Sequence, residues 1–306
     1  DMHKPFKWKR KLLIRHGGTM TIPLGLIINT IIHGIMLGVI YATIAMGMSL
    51  IFGVMGIKNL AHGDFAVLGM FTSYWLFSLF NVSPIISIPI AFTLFFCVGM
   101  ILTRCIFKYI VGEMLGSIIL TFGLSIFMEN VMLLIWGGDY RNIPVEYGVY
   151  RLGTVSVGGG YLVAFVSTLV LIVLTQLFLS KTKVGIAIKA VSQDPEAAES
   201  LGISADMIRL VGGGLGVALA GCGGATLSLI YYIYPYLGIL LTLHALIICV
   251  FAGLGNVAGT FFAGIIIGIA QSVATIQIPY ALTPVVGFVV FLLILLFRPQ
   301  GLFTRR

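Results

Sequence analysis

The sequence predicts an all-α protein: a polytopic bundle of about eight to ten membrane spans, with half-helices among them. Three observations predict it. Only 9% of the 306 residues are charged, where a soluble globular domain carries roughly 25%. Between Arg209 and Arg298 lie 88 residues without Asp, Glu, Lys or Arg. One span needs about 20 apolar residues, so that stretch alone is long enough for roughly four crossings. Segments of about 10 residues with alternating polarity, the mark of a transmembrane barrel, are absent.

Taken in order, residues 1–21 read as a basic cytoplasmic tail. "HKPFKWKRKLLIRHGG" has the charge of a signal-peptide start. The apolar segment after it is too long, however, and lacks a small-residue cleavage site, so it reads as a retained span. Residues 22–306 then form a single transmembrane domain with spans at 22–38, 39–55, 64–81, 85–104, 114–136, 160–180, 207–232, 242–254, 257–277 and 281–298. Residues 22–57 are an uncharged block of 36, about 54 Å as one helix against a hydrocarbon core of about 30 Å. Residues 242–278 pose the same problem, interrupted by "GLGNVAG".

Charge bias decides between one crossing and two. With two crossings in each block, 16 Lys and Arg residues fall inside and only Arg141 and Arg151 outside, as the positive-inside rule requires. This gives ten crossings with both termini cytoplasmic, residues 137–159 outside and residues 181–206 inside. The same bias explains the net charge of +8 without nucleic acid. In the external loop the alternating run "VYRLGTVSV" suggests a small hairpin. Cys97, Cys105, Cys222 and Cys249 lie in or beside apolar segments with no metal or disulfide spacing.

The inner loop contains "SQDPEAAESLGI". Asp194 suits an N-cap, Pro195 the first helical position, Glu196 the positive end of the helix dipole, and Gly202 the stop. Ala197, Ala198 and Leu201 form a small apolar face that nothing within the loop can cover. Two readings fit: a surface helix capping a turn, or a knob that inserts into a groove on a cytoplasmic partner.

The stretch "GIKNLAHGDFAVLG" (56–69) places Lys58, Asn59, His62 and Asp64 together in apolar surroundings. A turn on the inner face accounts for Lys58, and Asp64 suits the N-cap of the following helix. Asn59 and His62 are expected to hold a break in the helix near the solute path, and with Gly63 and Asp64 they are the candidate path and gate residues. "GLGNVAG" at 253–259 repeats part of this pattern, and broken helices mark the substrate site in many transporters, so Asn256 joins the candidate path residues. Glu129, an acid within a span, reads as either path-lining or a packed residue. His33, His244, Asn130 and Gln271 read as hydrogen-bonding residues of the bundle. The spacings Gly34-x3-Gly38, Gly212-x3-Gly216 and Gly264-x3-Gly268 suit close helix packing.

Glu196-Ala197-Ala198, followed after three residues by Gly202, resembles the EAA-x3-G core of the coupling loop in ABC importer permeases. The I-x-L-P that completes that motif is not present in register. "LGVIYATIAMGMSLIFGVMGIKNLAHGDFAVLGMF", "DPEAAESLGI", "FAGLGNVAGTFFAGIIIGIAQ" and "FRPQGLF" occur in that order. Together they resemble the H-type permease subunit of branched-chain amino acid ABC importers, from about residue 30 to 303. The resemblance implies a multi-pass permease of the bacterial cytoplasmic (inner) membrane. Its implied partners are an M-type permease (or a second copy), two cytoplasmic ATPase subunits and an extracytoplasmic solute-binding protein. It assigns ATPase coupling to Asp194, Pro195, Glu196, Ala197, Ala198, Leu201 and Gly202.

No phosphate loop, H-E-x-x-H or G-x-S-x-G motif occurs. The chain is therefore expected to be no enzyme and to bind no cofactor, with ATP and Mg2+ held by the partner subunits. The expected substrate is a branched-chain amino acid. A urea or short-amide permease is the alternative within the class, and a stand-alone channel or ion-coupled transporter the alternative outside it. The long uncharged C-terminal third argues against the latter, which needs paired intramembrane charges.

Overall fold

The computed structural model describes residues 14–16, 19–21, 23–144, 147–153, 155–279, 282–298 and 301–303. The tail expected over 1–21 falls largely outside them, apart from an antiparallel pair formed by β1 (Ile14–His16) and β2 (Thr19–Thr21). The helices that follow are α1 (Leu24–Met55), α2 (His62–Phe80), α3 (Pro84–Cys105) and α4 (Met114–Trp136). A hairpin of β3 (Val149–Leu152) and β4 (Val155–Gly158) leads to α5 (Gly159–Lys181), α6 (Lys183–Gln193) and α7 (Pro195–Ser200). The chain closes with α8 (Ala205–Leu227), α9 (Leu237–Ala252), α10 (Val257–Ala274) and α11 (Thr283–Phe297). Seven of these helices are long and apolar enough to cross a membrane, and α9 and α11 are shorter apolar helices. The molecule is an all-α polytopic membrane protein.

Helices α1 and α8 form the centre, with 83% and 89% of their apolar cores buried, against 22–28% for α3, α4 and α5. Their glycines explain how they come so close. Gly34 and Gly38 of α1 face Gly268 and Gly264 of α10; a Cβ at Gly34 would lie 2.8 Å from the Ile269 Cα. On α8, a Cβ at Gly212 would meet Val54, and one at Gly216 would overlap Ile51. The small-residue spacings therefore bring helices of this same chain into backbone contact.

One expectation fails here. Residues 22–57 do not cross twice: α1 is one continuous helix of 32 residues. Length predicts a break there, but the glycines inside α1 are contact points, and packing against α8 and α10 offsets their helix cost of about 1 kcal/mol each. The N-terminal turns of α1 rise beside the hairpin, where His33 Nε2 lies 3.2 Å from the Ser156 carbonyl. At its other end, Gly112 N donates to Met55 O (3.2 Å) and Gly53 faces Gly255.

The chain from 301 to 303 lies at the Gly53 end, where Leu302 N donates to Phe251 O (2.9 Å) and Asn256 Nδ2 to Phe303 O (2.8 Å). Leu24 and Phe303 thus sit at opposite ends of the bundle; the two termini, expected on one face, lie outside the described residues.

The 242–278 block does break, into α9 and α10, with positive φ at Gly253 (98°) and Gly255 (85°). Residues 181–206 carry two helices, where the sequence suggests one. In α6, Thr182 caps the start by accepting from Gly185 N (3.0 Å), and Gly185, Ile188 and Val191 are buried. Its short apolar stripe is flanked by Lys183 and Lys189 and is easily read as loop.

Candidate functional site

The polar stretch at 56–64 lies inside the protein, at the start of α2. The chain leaves α1 through Gly56 (φ 69°). Asn59, 1% exposed, folds back so that its Oδ1 accepts from Ala61 N (3.1 Å). The start of α2 has no side-chain cap of its own. Its free backbone groups are met instead from two neighbouring helices. The Thr121 hydroxyl of α4 accepts from Leu60 N (3.1 Å) and lies 3.0 Å from the Lys58 carbonyl. On α9, Thr242 Oγ1 accepts from Gly63 N (2.8 Å) and donates to Leu60 O (3.0 Å). Orphan donors at a buried helix start need such partners.

His62 is fully buried, with Nε2 2.8 Å from the Ile44 carbonyl of α1. A carbonyl only accepts, so Nε2 carries the proton and Nδ1 is left without a partner. Asp64 does not cap α2, contrary to expectation: it is the third residue of the helix, fully buried, and accepts from Ser125 Oγ of α4 (2.5 Å). The capping position is occupied by Ala61, because the helix starts three residues earlier than an Asp64 cap would place it. Asp64 in the first turn still complements the helix dipole. Its second oxygen has no hydrogen-bond partner, nor has Asn59 Nδ2.

Gly63 and Gly238 are what allow α2 and α9 to meet here. A Cβ on Gly63 would collide with the Gly238 carbonyl and Thr242, and one on Gly238 with the Asp64 carboxylate. Asn59, His62, Gly63 and Asp64 are thus brought together. Asn256 makes none of their hydrogen bonds. It caps α10 by accepting from Gly259 N (2.9 Å) and holds the Phe303 carbonyl. It lines a crevice of about 750 Å3 with Gly53, Lys189, Ser192 and Phe303.

The residues the sequence reading missed are Ser117, Thr121 and Ser125 of α4 and Thr242 of α9. On α4 the signal was available: buried hydroxyls recur every four residues and Glu129 continues the spacing, one face of a helix. Thr242 carried no local signal.

In the α6–α7 segment, Asp194 Oδ1 accepts from Ala197 N (3.0 Å), Pro195 opens α7 and Gly202 ends the turn at φ 80°. Glu196 and Ala197 are exposed, and Leu201 is 82% exposed. Ala198 is not part of an uncovered face, as the sequence suggests. It is buried, in one apolar cluster with Ile188, Val191 and Ala205, because α6 supplies the cover. Among the described residues no group of three His, Cys, Asp or Glu side chains is placed to hold a metal ion.

Comparison with known proteins gives one family and several relatives over most of the chain. Residues 30–297 match the family described as "Branched-chain amino acid transport system / permease component". The chain is 26% identical to the high-affinity branched-chain amino acid transport system permease protein BraD of Pseudomonas aeruginosa, over 91% of this chain and 96% of that one. It is 26% identical to the corresponding LivH protein of Escherichia coli (89% and 94% covered). It is 29% identical to a probable branched-chain amino acid transport permease protein LivH of Methanocaldococcus jannaschii (85% and 87%). No solved structure matches.

Proposed function

The chain belongs to the family of branched-chain amino acid transport system permease components, and from that premise we propose that it is the membrane half-path of an ATP-driven importer for leucine, isoleucine and valine. The observation that carries the proposal is the unbroken family match from residue 30 to 297, almost the whole membrane bundle. On this reading two partner ATPase subunits hold ATP and Mg2+, a division of labour consistent with a sequence that carries no phosphate-loop motif. A second permease, M-type or another copy, completes the path, and an extracytoplasmic binding protein delivers the solute.

The end that carries α6 and α7 faces the cytoplasm of a bacterial inner membrane. From Leu24 to Phe303 it has Lys58, Arg104, Lys108, Lys181, Lys183, Lys189, Arg209 and Arg298, against Arg141 and Arg151 at the hairpin end. With α1 crossing once, Leu24 and Phe303 lie on opposite faces. Helix α7, capped and rigid, presents Glu196, Ala197 and Leu201 to the ATPase, while Ala198 anchors it to the bundle.

The test is uptake of labelled leucine into membrane vesicles, with and without the binding protein and ATP. Saturable uptake that needs both, and that isoleucine and valine suppress, is expected. Uptake of urea or acetamide in place of leucine would overturn the substrate. Ala197→Trp is expected to abolish uptake while ATPase subunits still hydrolyse ATP; undiminished uptake would remove α7 from the coupling role.

A further inference from the structure

The hairpin end of the bundle holds a cavity of about 250 Å3, walled by α1, α9, α10 and the start of α11. At roughly 30 Å3 per water this is the space of about eight waters, room for one small solute. Five tyrosines line it: Tyr41 of α1, Tyr140 just after α4, and Tyr231, Tyr232 and Tyr234 from the chain between α8 and α9. Tyr140 and Tyr232 are 70% and 63% exposed and form its mouth. Tyr41, His244 and Gln271, each buried, form its floor.

The rings are held in place. Tyr41 stacks on His244 with centroids 4.8 Å apart, and its hydroxyl lies 2.9 Å from that of Tyr231. His244 is fixed in turn, its Nδ1 donating to the Leu240 carbonyl (2.8 Å). At the mouth the Tyr140 ring lies 4.7 Å from that of Tyr234 and 6.4 Å from that of Tyr232. The two segments that carry these rings are clasped by paired backbone bonds. Arg141 N donates to Ile233 O (2.9 Å), and Ile233 N to Arg141 O (2.7 Å). An interfacial belt turns its tyrosines toward lipid headgroups, whereas these five line one cavity.

Among the described residues the lining contains no Asp, Glu, Lys or Arg. A solute with a net charge would leave water there with nothing to pair it. A zwitterion brings both charges with it. Its ammonium group suits the faces of tyrosine rings, and Leu37, Leu237 and Leu240 supply apolar wall for an alkyl chain.

We propose that this cavity binds one zwitterionic aliphatic amino acid at the outer end of the path. The ammonium group sits against Tyr140, Tyr232 and Tyr234, the alkyl chain against the three leucines, and the carboxylate at the hydroxyls of Ser272 and Thr283. Rings already clasped in position lose little freedom when the solute arrives. The inference rests on the amino acid reading above and deepens it: the site admits neutral amino acids and turns away lysine and glutamate.

The test uses the complete transporter in lipid nanodiscs, without the binding protein, and measures equilibrium binding of radiolabelled leucine. Saturable binding is expected, displaced by isoleucine and valine. Lysine, glutamate and 4-methylpentanoate, which keeps the alkyl chain and carboxylate but lacks the ammonium group, should not displace it. Tyr140→Leu is expected to weaken binding about tenfold, while Tyr140→Phe, which keeps the ring face, stays within about twofold of the parent. Equal affinity for Tyr140→Leu and the parent would overturn the proposal, as would displacement by 4-methylpentanoate or lysine as strong as by leucine. No saturable binding, in a preparation that still imports leucine with binding protein and ATP, would overturn it and leave the importer reading intact. A parent protein that moves urea but not leucine would overturn the underlying reading, and the inference with it.

Discussion

The breaks between α1 and α2 and between α9 and α10 look like copies of one another. "GIKNLAHG" and "GLGNVAG" both run Gly, apolar, any, Asn, apolar, Ala, with Gly following. Both follow a glycine at positive φ, Gly56 (69°) and Gly253 (98°), and they lie at the same end of the bundle. Their asparagines nevertheless do different work. Asn256 is a partly exposed N-cap that also holds the Phe303 carbonyl. Asn59 is buried three residues ahead of its helix and braces the turn, leaving the helix start to Thr121 and Thr242. The lesson is that a short motif specifies a bend, while the packing around it decides whether the bend is a surface cap or a buried polar knot.

Substitutions can break that contrast. The largest effect is expected at Gly63→Val, which forces a side chain into the Gly238 carbonyl and Thr242. Overpacking costs about 1–3 kcal/mol and more when backbone must move, so purification should give no monodisperse transporter. A monodisperse, stable variant would show that α2 and α9 are less tightly crossed than described. At the other break the expected cost of Gly255→Ala is smaller, about 1–2 kcal/mol for a Cβ at positive φ, and should appear only as a lowered melting temperature.

Next comes Thr242→Val, nearly isosteric, which strands Gly63 N and Leu60 O in the interior. A buried group left unpaired costs about 1–3 kcal/mol, measurable as thermal destabilisation in detergent. No change would mean that water replaces the hydroxyl. Asn256→Ala removes a cap worth about 1 kcal/mol and frees the segment around Phe303. Asn256→Asp is the smallest perturbation, since it keeps the cap and loses only the donor to Phe303 O. Both variants should become sensitive to carboxypeptidase, but only the alanine variant should melt earlier. Equal melting would deny Asn256 its capping role.

Much of the fold is legible in the sequence because its signals are local. The ends of α4 and α7 follow from flanking glycine, proline and Asp194, whose side chains and dihedrals act within one turn. The site is legible only in part. Asn59, His62 and Asp64 stand out as polar residues among apolar ones, so their clustering is visible. Their partners are not: Thr242 lies some 180 positions away, and an isolated threonine in a span says nothing about what it bonds. Ala198 misleads for the same reason, since its cover comes from α6.

The sequence by itself determined that this protein is a bundle of apolar helices, where the short helix α7 caps and stops, and which end is basic. Hydropathy, capping and charge placement are properties of neighbouring residues, and they leave no other class open. Only the tertiary structure decided that residues 24–55 cross once, that Asp64 binds Ser125 instead of capping α2, and that Glu129 continues a buried polar ladder. Each of these depends on which backbone lies against which. Glycine in α1 reads as a helix breaker until the glycines of α8 and α10 are seen packed against it, turning local weakness into close backbone contact.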